Sequence, residues 1–100
     1  MSKLQSNIKW TNNSLDIHKT NNNNVTTIEE LYSMVKNFNG TGGCYFIGLT
    51  IQDINLNGKY CFFQHFTWGT SMTLLYSIYT LEIFKILWDN GTVSSIVQVV

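Results

Sequence analysis

The chain has 100 residues, enough for one domain with a thin margin of stability. Its six basic and six acidic side chains cancel, and charged residues make up 12% of the sequence against roughly 25% in ordinary globular chains. Sparse, balanced charge with no basic stripe argues against nucleic-acid binding, which depends on clustered Lys and Arg, and leaves two copies of the chain little mutual repulsion.

Residues 1–25 read as a polar, flexible lead. The run Asn21-Asn22-Asn23-Asn24 cannot bury surface. Ile8-Lys9-Trp10 and Leu15-Asp16-Ile17 alternate briefly, as short edge strands do, and Trp10 is the lead residue expected to dock on the body. The start Met1-Ser2-Lys3-Leu4 lacks the apolar run of a secretory signal, so the expected location is cytoplasmic, with Cys44 and Cys61 reduced.

A single domain is expected over residues 26–100, beginning with a helix over 28–38. Thr27 can cap the N3 amide and Glu30 sits at N3 to complete a capping box. Ile28, Leu31, Met34, Val35 and Phe38 form one apolar stripe, and Asn39-Gly40 supplies the stop.

The period then changes to two. Cys44 to Leu56 and Lys59 to Trp68 flank Asn57-Gly58, a strong signal for a two-residue hairpin in which both turn residues need positive φ. The implied register sets Leu56 opposite Lys59, Asp53 opposite Phe62 and Thr50 opposite His65. One face then collects Tyr45, Ile47, Leu49 and Ile51 with Tyr60, Phe62, Phe66 and Trp68, and the helix is its natural cover. The other face collects Cys44, Phe46, Thr50, Gln52 and Ile54 with Cys61, Phe63, His65 and Thr67.

A second hairpin is expected around Asn90-Gly91. Glu82, Phe84, Ile86 and Trp88 share a face with Val93, Ser95, Val97 and Val99, while Ile83, Lys85 and Leu87 share the other with Ser94, Ile96 and Gln98. A helix over 72–88 competes for the first half, but its polar residues do not gather on one side and its Tyr, Ile and Thr favour strands. Residues 69–80 stay open between the two readings. A membrane span over 72–88 is rejected, because Glu82 and Lys85 would each cost roughly 2.5–3.5 kcal/mol within the bilayer. The predicted class is α+β: an antiparallel sheet of about four strands from two Asn-Gly hairpins, with one amphipathic helix on one face. The close Val97-Gln98-Val99-Val100 leaves a possible open edge.

Cys44, Cys61 and His65 are the candidates for catalysis or metal binding. In the expected register the two thiols lie on the order of 33 Å apart, beyond disulfide reach, and Cys61 is about 13 Å from His65 along the strand. No close-spaced cysteine pair suggests zinc, and Gly40-Thr41-Gly42-Gly43 follows a helix instead of a strand, the wrong order for a phosphate loop. Asp53, Glu82 and Asp89 are scattered. No cofactor or metal is implied, and an enzyme has the least support.

The segments Thr27-Ile28-Glu29-Glu30-Leu31, Met34-Val35, Tyr45-Phe46-Ile47-Gly48-Leu49-Thr50-Ile51 and Gly58-Lys59-Tyr60 together resemble the profilins, with Ser71-Met72-Thr73-Leu74 and the Asn90-Gly91 hairpin falling on further strands. The resemblance covers roughly residues 27–100 and implies a cytoskeletal, actin-monomer-binding role. It assigns no functional residue.

From the residues themselves, the expectation is a non-enzymatic interaction module. The sheet face carrying Phe46, Ile54, Phe63, Ile83 and Leu87 has no second layer within the domain, and exposed apolar area of that kind marks a docking surface for a protein partner or a second copy of the chain. The alternatives are that the lead, with Trp10, folds back to finish the core, that the chain is a relic of a larger domain, or that it is a profilin-like binder.

Overall fold

The helix begins where the capping residues place it. In the computed structural model, which describes residues 24–37, 41–67 and 71–100, α1 spans Ile28–Asn37. The Thr27 hydroxyl accepts the Glu30 amide at 3.1 Å. The Glu30 carboxylate reaches one residue further back than the capping box requires: its Oε1 accepts the Thr26 amide at 2.8 Å and the Thr26 hydroxyl at 2.7 Å. Those bonds hold the Glu30 carboxyl below its usual range. Of the predicted stripe, Leu31, Met34 and Val35 are buried and Ile28 is half-buried. Phe38, Trp68 and Trp10 lie outside the described residues.

The strands are β1 (Asn24–Val25), β2 (Thr41–Phe46), β3 (Thr50–Ile51), β4 (Ile54–Asn55), β5 (Tyr60–Phe66), β6 (Met72–Ser77), β7 (Ile83–Asp89) and β8 (Thr92–Gln98). Six of them form one sheet in the order β1-β2-β5-β6-β7-β8, and β3 and β4 form a separate hairpin. All neighbours in the large sheet are antiparallel except β1 and β2. The class is α+β, with six strands in the main sheet where about four are predicted. Two strands come from segments the pattern left unassigned. Asn24 and Val25, expected in the flexible lead, pair with Tyr45 and Phe46, and Val25 is buried. Residues 72–77 are strand, so the competing helix over 72–88 does not form.

The two Asn-Gly pairs fold differently. Asn90 and Gly91 both have positive φ (53° and 87°), which makes the tight two-residue turn between Asp89 and Thr92. Beyond it, Trp88 pairs with Val93 but Leu87 pairs with Ser95, so Ser94 is an extra residue. This bulge lets Val93 and Ile96 both turn inward. Ile96 sits opposite Ile86, and Ser95 and Val97 take the other face, reversing the predicted assignment for these three.

At the first pair only Gly58 has positive φ (80°). The Leu56 carbonyl accepts the Lys59 amide at 3.1 Å, a type II turn. The Phe46 carbonyl accepts the Gly58 amide at 2.8 Å while the Phe46 amide donates to Lys59 at 3.0 Å, a glycine bulge opposite Phe46. Lys59 therefore faces Phe46 and not Leu56, and the register becomes Cys44 with Cys61 and Tyr45 with Tyr60. The chain between Phe46 and Lys59 is an arch. It contains the β3–β4 hairpin, and it is closed by Leu56 donating to the Leu49 carbonyl at 2.9 Å and by Gly48 donating to Asn57 Oδ1 at 2.6 Å.

A change of register moves side chains between faces. In β2 the inward residues are Cys44 and Phe46; Gly48, at φ 66°, breaks the alternation, so Leu49 and Ile51 are buried as well. The predicted core face is thereby corrected. Tyr45 and Phe62 are half-buried on the outer side, and Ile47, Tyr60 and Phe66 are exposed. Instead α1 and the arch cover Phe46, Phe63, Leu75, Phe84, Ile86 and Trp88, all buried. The chemistry of the side chains explains the choice. The inner set is Phe, Trp and aliphatic, whereas the outer set mixes Phe62 and Phe66 with Tyr45, Tyr60, Gln64, Tyr76 and Lys85, whose polar ends need water or a partner. Each fully buried Phe, Leu or Ile contributes about 1.5–3 kcal/mol.

Gly58 tests the arch. A Cβ there would meet nothing within 4 Å, so Gly58→Ala acts through backbone strain alone. The variant is expected to lose roughly 1–2 kcal/mol in urea unfolding, the cost of a left-handed conformation for a residue with a side chain.

Candidate functional site

The outer face of the sheet presents side chains in rows that run across the strands. Tyr45 and Tyr60 form one row, and Phe62, Tyr76 and Ile83 the next. Gln64, Leu74, Lys85 and Val97 form a third, and Phe66, Met72, Leu87 and Ser95 a fourth. Rings stack along the first two rows: Tyr45–Tyr60 centroids are 4.4 Å apart and Phe62–Tyr76 6.4 Å. The Tyr76 hydroxyl donates to Gln64 Oε1 at 2.7 Å. Lys85 is the one charged residue in these rows, and none of the described elements lies over the face. Tyr60 is 41% exposed and Phe66 40%.

Beneath α1 the inner face holds a different cluster. Trp88 Nε1 donates to Thr73 Oγ1 at 2.7 Å, and Thr73 Oγ1 lies 2.7 Å from His65 Nδ1. Indole can only donate, so the hydroxyl accepts from Trp88 and has its own hydrogen for a neutral imidazole. Tyr32 of α1 closes the cluster, with its ring 4.9 Å from Trp88 and edge-on to His65 at 6.3 Å. Thr73 is fully buried and His65 nearly so, and burial holds the His65 pKa below its ordinary value. The cross-strand pairs His65–Thr73 and Thr73–Ile86 put this polar network on one end of the core face.

The cysteines are closer than the predicted register allows. Cys44 and Cys61 are direct cross-strand partners, both buried and both free thiols. The expected separation assumed a continuous hairpin through residues 44–68; the arch removes residues 47–58 from that ladder. Burial pushes the Cys61 thiol up to about 12 and raises Cys44 further, with Cys61 beside it adding to the rise. Thiols held protonated in this way are poor nucleophiles and poor metal ligands. His65 shares the strand and the face with Cys61, with Phe63 between them. His18 lies outside the described residues.

The proposed docking residues are dispersed. Phe46 and Phe63 are fully buried in the core, which corrects their assignment to an open face. Ile54 is half-buried on β4, packed against the core. Ile83 and Leu87 lie half-buried on the outer face. The residues that make that face, among them Tyr60, Phe62, Leu74 and Tyr76, are ones for which the sequence pattern predicts the core or predicts no element.

Glu82 pairs with Lys59 across the sheet and not with its neighbour Lys85. Lys59 Nζ lies 2.7 Å from Glu82 Oε1, which also accepts from the Thr80 hydroxyl at 2.8 Å, and the Lys59 bond comes first in lowering the Glu82 pKa. A groove of about 520 Å³ runs between β1 and α1, lined by Asn24, Glu29, Glu30, Ser33, Met34 and their neighbours, but the Glu30 carboxylate there is already committed to Thr26. Among the described residues no group of three metal-binding side chains occurs, and no helix is long and apolar enough to cross a membrane. No protein-family model, curated protein or solved structure matches the chain.

Two outcomes follow for the buried network. Thr73→Val keeps the shape and strands the Trp88 N–H and His65 Nδ1, so urea unfolding should show a loss of about 1–3 kcal/mol for each group left unsatisfied, with Thr73→Ser recovering most of it. His65 binds its proton more weakly folded than unfolded, so its contribution to stability is complete above the unfolded value of about 6.5 and is lost as pH falls below it. The urea midpoint should therefore drop between pH 7 and 5.5, and His65→Asn should flatten that slope.

Proposed function

We propose that this chain is a non-enzymatic protein-interaction module that docks through the outer face of its sheet. One observation carries the reading: rows of Tyr, Phe, Leu, Met and Ile with a single charge, half-buried or exposed, have no other described element over them, while the opposite face holds the buried core. A water-facing sheet surface normally alternates to polar residues. Contiguous apolar area beyond a few hundred Å² belongs to an interface. Aromatic-rich, charge-poor composition is also the compositional mark of interface centres. The buried, protonated thiols and the neutral His65 bonded to Thr73 offer no activated nucleophile or base, which favours binding over catalysis.

The test is site-specific photo-crosslinking in expressing cells. A benzophenone amino acid at Tyr60 or Phe66 is expected to give discrete covalent adducts on irradiation, and one at Ser33, on the exposed side of α1, is expected to give none. Absence of adducts from both outer positions overturns the reading.

A further inference from the structure

We infer that the occupant of the outer face is a second copy of this chain, packed sheet to sheet about a two-fold axis; the inference rests on the interaction-module reading above. Three features favour self-pairing. The first is charge. The central strands β5 and β6 place Tyr60, Phe62, Phe66, Met72, Leu74 and Tyr76 outward without an ionised group. A two-fold interface sets each residue near its own counterpart or that of a neighbour, so an uncharged centre is what avoids like-charge contact. A strongly acidic or basic partner would find no complementary charge on this face.

The second feature is the position of Lys85. It sits on β7, next to the edge strand β8, with Val97 as its neighbour on that side. Its four-carbon stem can lie on the apolar rows while the ammonium reaches the rim. The net charge of zero adds no long-range repulsion between copies.

Area is the third. Five strands at about 4.8 Å spacing and about seven residues at 3.3 Å rise give a projected face of roughly 550 Å². Side-chain relief raises the accessible area above this, toward the roughly 800 Å² per partner of a stable interface. The rows are long enough in both directions for two sheets to pack about 10 Å apart, as in a β-sandwich.

Sedimentation equilibrium between about 1 and 100 μM tests the inference, with circular dichroism to confirm folding of each variant. The wild-type chain is expected to run at twice its chain mass. Leu74→Glu, at the middle of the face, is expected to weaken association at least 100-fold, and Ser33→Glu on α1 to leave it unchanged. Should Leu74→Glu fail to fold, Phe66→Lys, at a position already 40% exposed, decides the matter by the same readout. A dimer that survives the folded variants overturns the inference, because the copies then meet elsewhere. A wild-type monomer overturns it too, and binding of an apolar-surface dye separates the two cases. A monomer that binds the dye, and loses it in the variant, keeps an open docking face for a different protein. A monomer that binds none has its outer face covered by its own chain, and the interaction-module reading falls with the dimer.

Discussion

The arrangement depends on keeping Phe46, Phe63, Leu75, Phe84 and Ile86 dry on a single face of the sheet. No one element of this small chain is large enough to do that. α1 supplies Leu31, Met34 and Val35 over one part, and the arch supplies Leu49, Ile51 and Leu56 over another, all of them buried. β1 anchors the start of the helix by pairing with β2, so the helix and the sheet edge are tied within a few residues. The irregular features of the fold serve the same end. The bulges at Gly58 and Ser94 and the bend at Gly48 each change the parity of the chain where strict alternation would turn an apolar residue outward.

Turning Phe46, Phe63, Leu75, Phe84 and Ile86 to the inner face has two costs, and they fall in different places. Inside, the polar residues on inward positions had to find partners: Thr73 joins His65 to Trp88, and the Ser77 hydroxyl lies 2.7 Å from that of Thr80, to which it donates because Thr80 spends its own hydrogen on Glu82. Such a network is stable only when every member is satisfied, and it ties the packing of Tyr32 on α1 to the sheet beneath it. Outside, Tyr, Phe and aliphatic side chains are left in rows, with the Tyr76 hydroxyl bonded to Gln64. A chain with half the usual charge has too few ionised side chains to cover both its helix surface and a five-strand face. The deficit falls on the sheet, because α1 already takes Glu29, Glu30 and Lys36.

Short-range features were legible. Thr27, Glu29 and Glu30 announce the helix start, and the hydrogen bonds of Thr27 and Glu30 carry it out. Asn90-Gly91 announces a tight hairpin and makes one, with Phe84, Ile86 and Trp88 on a common face. Asn57-Gly58 carries the same two residues and makes another turn, because the conformation of Asn57 is set by what lies beyond it: its side chain accepts the Gly48 amide, and Phe46 captures the Gly58 amide. The same local signal therefore placed one turn correctly, with the strand beyond it shifted by the Ser94 bulge, and misplaced the other, and the Cys44–Cys61 pairing and the choice of inner face went with it.

What the sequence by itself determined is the chemistry available: one amphipathic helix, strands from Cys44 onward, and too little charge to make both sides of a sheet polar. What only the tertiary structure decided is which side of the sheet is inside. In a strand the two faces differ by a single residue of register, and register is settled by contacts between distant segments, such as Phe46 with Lys59 and Asn24 with Tyr45. Local propensity is nearly blind to that one-residue choice, whereas burial of Phe46 and Phe63 together with Leu31 and Val35 depends on it entirely.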